Sequence, residues 1–378
     1  MGSGPQVAVV GLGGVGAFAL RALARRGVRA VGLEQFQVGH RRGSSHGGTR
    51  VFRHAYFEHP GYVPMLLAST EDFERLERDQ DTPLLERCGT LIAEVAGGPV
   101  LRASREAARQ HGLAVEELDA AAIRARWPAL RPGQDEEGLF EPGGGFVRPE
   151  ASVAAALRDA ARHGAEVREG ETLVTLEPTA SGVRLHTEQG VLEVERVVLA
   201  AGPWTARLVP QLRSGLRVTR QVQAWIEGGG THGPRDLPCW FLCRAQGPAL
   251  YGIPSDPRGE HPTWTKLALH GTPEEVDPSV PQPPPRPDEL ERLADAARAW
   301  LPASAAGFTA ARTCLYTCTP DEQFLVGLAP GLPGVVLAAG LSGHGFKLTP
   351  ALGEALADLA TGHAPRFDLT FLAPSRAL

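Results

Sequence analysis

The sequence predicts an α/β protein in which a Rossmann-like domain is joined to a second, mixed-sheet α+β domain. Three observations carry this. Val7-Ala8-Val9-Val10 runs straight into Gly11-Leu12-Gly13-Gly14-Val15-Gly16 and then into the helix-forming residues Ala17 to Arg26, a β-turn-α unit. Two later apolar runs, Arg196-Val197-Val198-Leu199-Ala200-Ala201 and Val335-Val336-Leu337-Ala338-Ala339, end in small residues, as parallel strands buried on both faces do. The 378 residues exceed one typical domain core.

The glycine turn sets the first expectation. Gly11 lets the chain leave the strand sharply, Gly13 lets backbone approach a pyrophosphate, and Gly16 lets helix and strand pack closely. The helix N-terminus then faces the phosphates. A second strand over 29–33 ends at Glu34, about 20 residues beyond the glycines, where a carboxylate accepts ribose hydroxyls and disfavours a 2'-phosphate. A dinucleotide is expected, NADP is disfavoured, and the motif leaves FAD and NAD open.

The loop Gly39-His40-Arg41-Arg42-Gly43-Ser44-Ser45-His46-Gly47-Gly48-Thr49-Arg50 continues into Val51-Phe52-Arg53-His54-Ala55-Tyr56. Its position after the ribose-binding acid suits it to wrap a cofactor, and cations interleaved with apolar residues imply buried arginines needing anionic partners. Periodicity predicts helices over 63–85, 100–111, 119–127, 151–163, 288–300 and 349–361, with a strand over 88–93. Short strands are expected over 167–176, 183–187 and 191–194, and a second strand-rich region over 217–227, 238–243, 249–253 and 263–270. The proline run 277–287 reads as an extended polyproline linker. Gly340-Leu341-Ser342-Gly343-His344-Gly345-Phe346-Lys347 breaks the last buried strand into a second glycine turn before a helix, able to present backbone N–H groups to a ligand.

Composition narrows the class. Hydrophobic content of 43% and charged content of 21% are ordinary for a globular enzyme, and a net charge of -5 gives no general affinity for nucleic acid. No apolar run reaches membrane-spanning length. The glycine unit lies almost at Met1, so the cytoplasm is the expected location. Five cysteines argue against a disulfide framework. Cys88, Cys239, Cys243 and Cys318 read as structural, and the spacing of the last three with Cys314 is a poor zinc signature, so no metal is expected. Only Lys266 and Lys347 are lysine, against 36 arginines. In so biased a chain the two lysines are candidates for a compact point charge in a confined site.

Gly11 to Glu34, Ser45-His46-Gly47-Gly48-Thr49-Arg50 with Arg53-His54-Ala55-Tyr56, Lys266 with His270, Cys314-Leu315-Tyr316-Thr317 with Asp321-Glu322, and Gly343-His344-Gly345-Phe346-Lys347 occur in one order along the chain. In that order they resemble the flavin-dependent amine oxidases typified by monomeric sarcosine oxidase and N-methyltryptophan oxidase, over essentially the whole length. The resemblance implies a glutathione-reductase-like FAD-binding domain formed by 1–85, 146–215 and 312–378, and a substrate domain formed by 86–145 and 216–311. It implies FAD, tethered by a thioether from Cys314 to the flavin 8α-methyl carbon. Thiolate attack needs electropositive surroundings, which His46 and Arg50 are expected to supply.

For the cofactor the resemblance implies contacts from Gly11, Gly13, Gly14, Val15, Gly16, Glu34, Ser45, His46, Thr49, Arg50, Leu173, Ala201, Gly202, Trp204, Cys314, Ser342, Gly343, Gly345, Phe346 and Lys347. For the substrate it implies Arg53 and Lys347 on a carboxylate, with Tyr251 and Tyr56 nearby. The implied catalytic set is Lys266, His270, Arg50, His46 and Tyr316. Lys266 is matched to oxygen activation, where a fixed ammonium stabilises charge arriving on O2. The expectation is a monomeric enzyme acting on a small secondary amino acid, sarcosine first, with O2 as acceptor. Glu34 stands in place of the commoner aspartate and should still bind ribose, while Phe52 and Pro238-Cys239-Trp240-Phe241-Leu242-Cys243 depart from the pattern and border the expected pocket.

Overall fold

The computed structural model describes residues 4–228, 232–244 and 247–378. Its first sheet has six strands in the order Leu325–Leu328, Val335–Ala339, Arg196–Leu199, Val7–Val10, Ala30–Glu34 and Glu166–Glu169. All pairs are parallel except the first, which is antiparallel. The central strand is apolar on both faces because both are covered. Val7 and Val9 pack with the helices Gly14–Arg25, Pro149–Arg162 and Thr349–Ala360, while Ala8 and Val10 pack beneath the three-stranded meander Leu173–Pro178, Val183–Thr187 and Gly190–Val194.

The glycine turn is fixed by contact. Gly11 has φ +86°, and a Cβ there would lie 2.6 Å from the Ala200 carbonyl oxygen; at Gly16 a Cβ would lie 1.8 Å from the Gly11 oxygen. Only glycine permits this approach of helix to strand.

The second sheet has eight strands: Ala310–Cys318, Arg217–Glu227, Trp264–His270, Ala249–Ile253, Cys239–Leu242, Thr90–Val95, Glu136–Glu141 and Glu116–Asp119. One face is filled by Trp127, Trp240, Trp300, Leu242, Leu267 and Leu293, beneath Ala120–Arg126 and Pro287–Arg298. The other face turns toward the first sheet and carries the site. A small sheet of Arg50–Phe52, Gly145–Val147 and Leu85–Glu86 lies between them.

Several expected bounds shift. The helix expected over 63–85 is Tyr62–Gln80, ended by Asp81 in the left-handed region at φ 47°, and the chain then re-enters a strand at Leu85. The strand expected over 167–176 is two strands, Glu166–Glu169 and Leu173–Pro178, in different sheets, because Gly170 turns the chain at φ +68°. The proline run is not a free linker: Arg220, almost fully buried, donates to the Pro283 and Pro284 carbonyls at 2.9 Å and pairs with Glu289. The expected division at 312 falls inside Ala310–Cys318, which pairs along its whole length with Arg217–Glu227; we propose a domain boundary after Cys318 instead. Among the described residues no helix is long and apolar enough to cross a membrane.

Three helices of the first layer are tied by one buried ionic cluster. Arg21 Nε donates to Asp159 at 2.7 Å and its NH1 to Asp72 at 2.6 Å, with Arg21 itself 1% exposed. Deleting the buried cation would leave Asp72 and Asp159 facing each other's charge with only the half-exposed Arg75 and Arg25 as arginine partners. Arg21→Ala should therefore destabilise the protein by about 3–5 kcal/mol, read from the midpoint of denaturant unfolding; an unchanged midpoint would show that the cluster contributes nothing net.

Candidate active site

The register of the eight-stranded sheet explains how distant residues meet. Directly paired residues in antiparallel strands share a face, and so do every second residue of a strand. The pairs Gln223↔Ala268, Tyr251↔Ala268, Phe241↔Tyr251, Gln221↔Cys314 and Thr219↔Tyr316 therefore put Lys266, His270, Tyr251, Phe241, Cys314 and Tyr316 on one face. The loop 43–58 and the turn 340–347 close over that face.

A long cleft runs from the glycine turn to this face. It is lined by Gly11, Gly13, Gly14, Val15, Glu34, Ser45, Arg50, Leu173, Ala201, Gly202, Trp204, Tyr316, Ser342, Gly343, Gly345 and Phe346, all expected there. Glu34 anchors one end, accepting from Leu12 N at 2.9 Å and Phe36 N at 3.1 Å. Ser45 Oγ accepts from Gly14 N at 3.1 Å, where an anion at the helix N-terminus would compete for the same donor. Gly343 allows the turn to lie on Tyr316, since a Cβ there would be 2.2 Å from the ring. A glycine cradle with free backbone approach at one end, a ribose-accepting acid behind it and buried cations at the other end fit a dinucleotide carrying a redox-active ring.

Five expected cofactor residues do not line this cleft. Gly16 packs against Gly11. Thr49 is buried and offers its carbonyl oxygen to Lys266 Nζ at 2.6 Å. Lys347 lies beside Arg53. Cys314 faces a neighbouring cavity formed with Arg42, Trp204 and Pro281. His46 is buried, its ring nitrogens carry no hydrogen bond among the described residues, and burial, then Arg50 and Lys266, push its pKa down to about 3. Its expected part in an electropositive setting is thus corrected: a neutral imidazole supplies no charge.

Arg50 is the main source of positive charge beside Cys314. Its guanidinium donates to Thr49 O at 2.8 Å and Ser44 O at 2.6 Å, and reaches Cys314 Sγ at 3.7 Å. Burial raises the Cys314 thiol pKa, and Arg50 and Lys266 oppose that rise. Lys266 is held well below the ordinary lysine value, first by burial and then by Arg50, with Glu150 and Cys314 pulling it back up. A fixed ammonium was expected; the surroundings instead make its charge conditional on negative charge arriving nearby.

A second group of cations lies at the far side of Tyr316. Arg53 donates twice to Glu58, at 2.6 and 2.8 Å, and once to Ala55 O at 2.8 Å. Its guanidinium stacks on Tyr56 at 4.3 Å and Phe57 at 4.4 Å. Lys347 Nζ donates to His344 O at 2.8 Å and sits 4.8 Å above the Tyr56 ring. Burial, then Arg53, press its pKa down to about 7, against the pull of Glu58. Tyr56 gives its hydroxyl to His344 at 2.6 Å, so it supports the cations from below and its hydroxyl is not free for a ligand. His270 Nδ1 lies 3.3 Å from the Tyr316 hydroxyl, and burial pushes the His270 pKa down to about 4.

Glu58, Glu150, His344 and Gln223 were missed in the sequence. Glu150 accepts from Gly47 N at 2.6 Å and Gly48 N at 3.1 Å, holding the loop over the cleft. Its place at the start of a helix, directly after Pro149, is the one local signal that marked it. Nothing local marks Glu58 or Gln223, whose partners are set by folding. Among the described residues no cluster of potential ligands could hold a metal ion.

The family profile described as FAD dependent oxidoreductase (DAO) matches residues 6–359. Monomeric sarcosine oxidase of Streptomyces avermitilis is 38% identical over 362 residues, covering 94% of this chain and 93% of that protein. N-methyl-L-tryptophan oxidase of Citrobacter koseri is 33% identical over 369 residues, covering 96% of each. The solved structure of NikD, an unusual amino acid oxidase essential for nikkomycin biosynthesis, superposes with a TM-score of 0.85 at 26% identity, covering 99% of this chain and 98% of that one. The profile spans the glycine turn, both sheets and nearly all of the helix Thr349–Ala360, so the chain belongs to the FAD dependent oxidoreductase family.

Proposed function

We propose that the protein oxidises a small secondary amino acid, sarcosine foremost, to glycine, formaldehyde and H2O2, with O2 as the electron acceptor and FAD tethered to Cys314. The observation that carries this reading is the buried pair of cations Arg53 and Lys347 beside His270 and Tyr316, with Arg53 already holding one carboxylate, Glu58. A substrate carboxylate exchanges with Glu58 and takes the bidentate position on Arg53. Each cation at contact distance contributes on the order of 4 kcal/mol before desolvation, enough to orient a ligand with few other groups.

Bound FAD supplies the two-electron acceptor for a hydride leaving the carbon next to the amine. The chain's own residues do the rest. The neutral His270 imidazole and the Tyr316 hydroxyl face the amine without adding charge, which favours the neutral amine that hydride loss requires. Lys266, held by Thr49 O, gains its proton when negative charge develops on oxygen and stabilises that charge in a dry site. Arg50 beside Cys314 favours the thiolate that forms the thioether.

The Phe241 ring lies 5.6 Å from His270 and 5.9 Å from Phe57. This aromatic cluster beside His270 favours a small side chain, hence sarcosine over N-methyltryptophan, pipecolate or proline. The similarity to N-methyl-L-tryptophan oxidase keeps a larger secondary amino acid as the second reading, and a non-oxygen acceptor as the third.

The direct test mixes purified protein, each secondary amino acid in air, and a peroxidase dye. Colour with sarcosine above the others is expected; no colour with any of them defeats the oxidase reading. Acid precipitation should leave the yellow in the pellet, and Cys314→Ser should move it to the supernatant; yellow retained by the variant would place the tether elsewhere. The third expectation concerns pH. Lys347 carries its charge below about 7, and carboxylate binding favours that charged form. Acetate affinity should accordingly fall as pH rises through about 7, because His270 and His344, at about 4 and about 3, stay neutral across this window. Lys347→Met should bind acetate weakly and without that pH dependence; an unchanged profile would assign the titration to another group.

A further inference from the structure

Cys88 and Cys239 are 151 positions apart in sequence, yet their sulfurs lie 3.9 Å apart. The contact follows from the second sheet: Cys239–Leu242 runs parallel to Thr90–Val95 with Cys239 opposite Thr90, and Cys239 N donates to Gly89 O at 3.0 Å. Cys88 is partly exposed and Cys239 fully buried. Both pack in one apolar cluster with Val51 and Tyr251, and Cys239, two residues before Phe241 on its strand, shares the face of the sheet that carries the site. No disulfide joins them and no metal-ligand cluster includes them among the described residues.

We propose that Cys88 and Cys239 form a dithiol that peroxide converts reversibly to a disulfide on the sheet face that carries the active site. The proposal rests on the oxidase reading for its natural oxidant, since H2O2 would be released nearby. The Cys88 thiolate attacks one peroxide oxygen: an S–O bond forms, the O–O bond breaks, and the departing hydroxide is protonated to water. The Cys239 sulfur then attacks the sulfenic sulfur of Cys88: the S–S bond forms, the S–OH bond breaks, and a second water leaves. Two thiols are oxidised by two electrons, and one peroxide is reduced to two waters. Cys88 is the attacking group because it is the accessible one, while burial raises the Cys239 pKa well above the ordinary thiol value. Paired strands already hold the two backbones side by side, so closing the bridge requires mainly side-chain rotation. The bridge commits Cys88 to a form that thiols reduce, ahead of irreversible over-oxidation.

The test treats flavin-loaded enzyme with reagent H2O2, quenches free thiols, and maps peptides by mass. A single link between the Cys88 and Cys239 peptides is expected, with loss of two hydrogen masses and reversal by dithiothreitol. Cys239→Ser should prevent the link and let Cys88 accumulate added oxygen; Cys88→Ser should leave Cys239 unmodified. Bound-flavin absorbance and the unfolding midpoint establish that each variant folds. Absence of the link, or a link through Cys243 or Cys318, overturns the proposal. A parallel arm supplies sarcosine in air, with and without catalase. Linking that catalase suppresses supports the enzyme's own product as the oxidant. Linking by reagent peroxide alone upholds the dithiol and counts against the oxidase reading.

Discussion

Everything at the site depends on positive charge held out of water between two sheets. Arg50, Arg53, Lys266 and Lys347 are all removed from solvent, and the nearby carboxylates are few, chiefly Glu58 and Glu150. Desolvated cations near one another are unfavourable, which is why Arg50 lowers the pKa of Lys266 and Arg53 that of Lys347. The arrangement persists because carbonyl oxygens of Ser44, Thr49, Ala55 and His344 accept from these groups. The unfavourable field is relieved by whatever brings negative charge to either group.

Such a field works only if the loops carrying the cations cannot relax. The segment around Arg53 is pinned by Glu141, whose carboxylate accepts from His54 N, Ala55 N and the His54 ring at 2.6 to 2.9 Å. Glu141 ends one strand of the eight-stranded sheet, so the sheet itself fixes where Arg53 points. Glu150 does the same for Gly47 and Gly48 from the start of a helix in the other layer. The cofactor loop is thus held from both layers, and the cleft is the seam between them.

Tyr316 and the face it lies on separate two groups of side chains. On one side Cys314, Arg50 and Lys266 converge; on the other, Arg53, Lys347 and His270 meet the aromatic rings of Phe57 and Phe241. Cys314, Lys266, His270 and Phe241 hang on strands of one sheet, so their mutual spacing is set by strand pairing, while Arg50, Arg53 and Lys347 are brought over that face by the loop 43–58 and the turn 340–347. That placement gives orientation a rigid origin.

What the amino-acid sequence determined by itself is local. The β-turn-α unit from Val7 to Arg25, the acid at Glu34 and the two buried strands ending in small residues follow from glycine conformations and apolar periodicity, which act over a few residues. The scarcity of lysine marked Lys266 and Lys347 without any neighbour being known. The tertiary structure decided what charge each group carries and which groups meet. His46 is neutral because burial next to Arg50 and Lys266 makes it so, and Arg53 finds Glu58, Cys88 finds Cys239, and Tyr56 finds His344 only once the chain is packed. Protonation and partnership depend on the dielectric and on contacts across the fold, and these exist only when distant strands have paired.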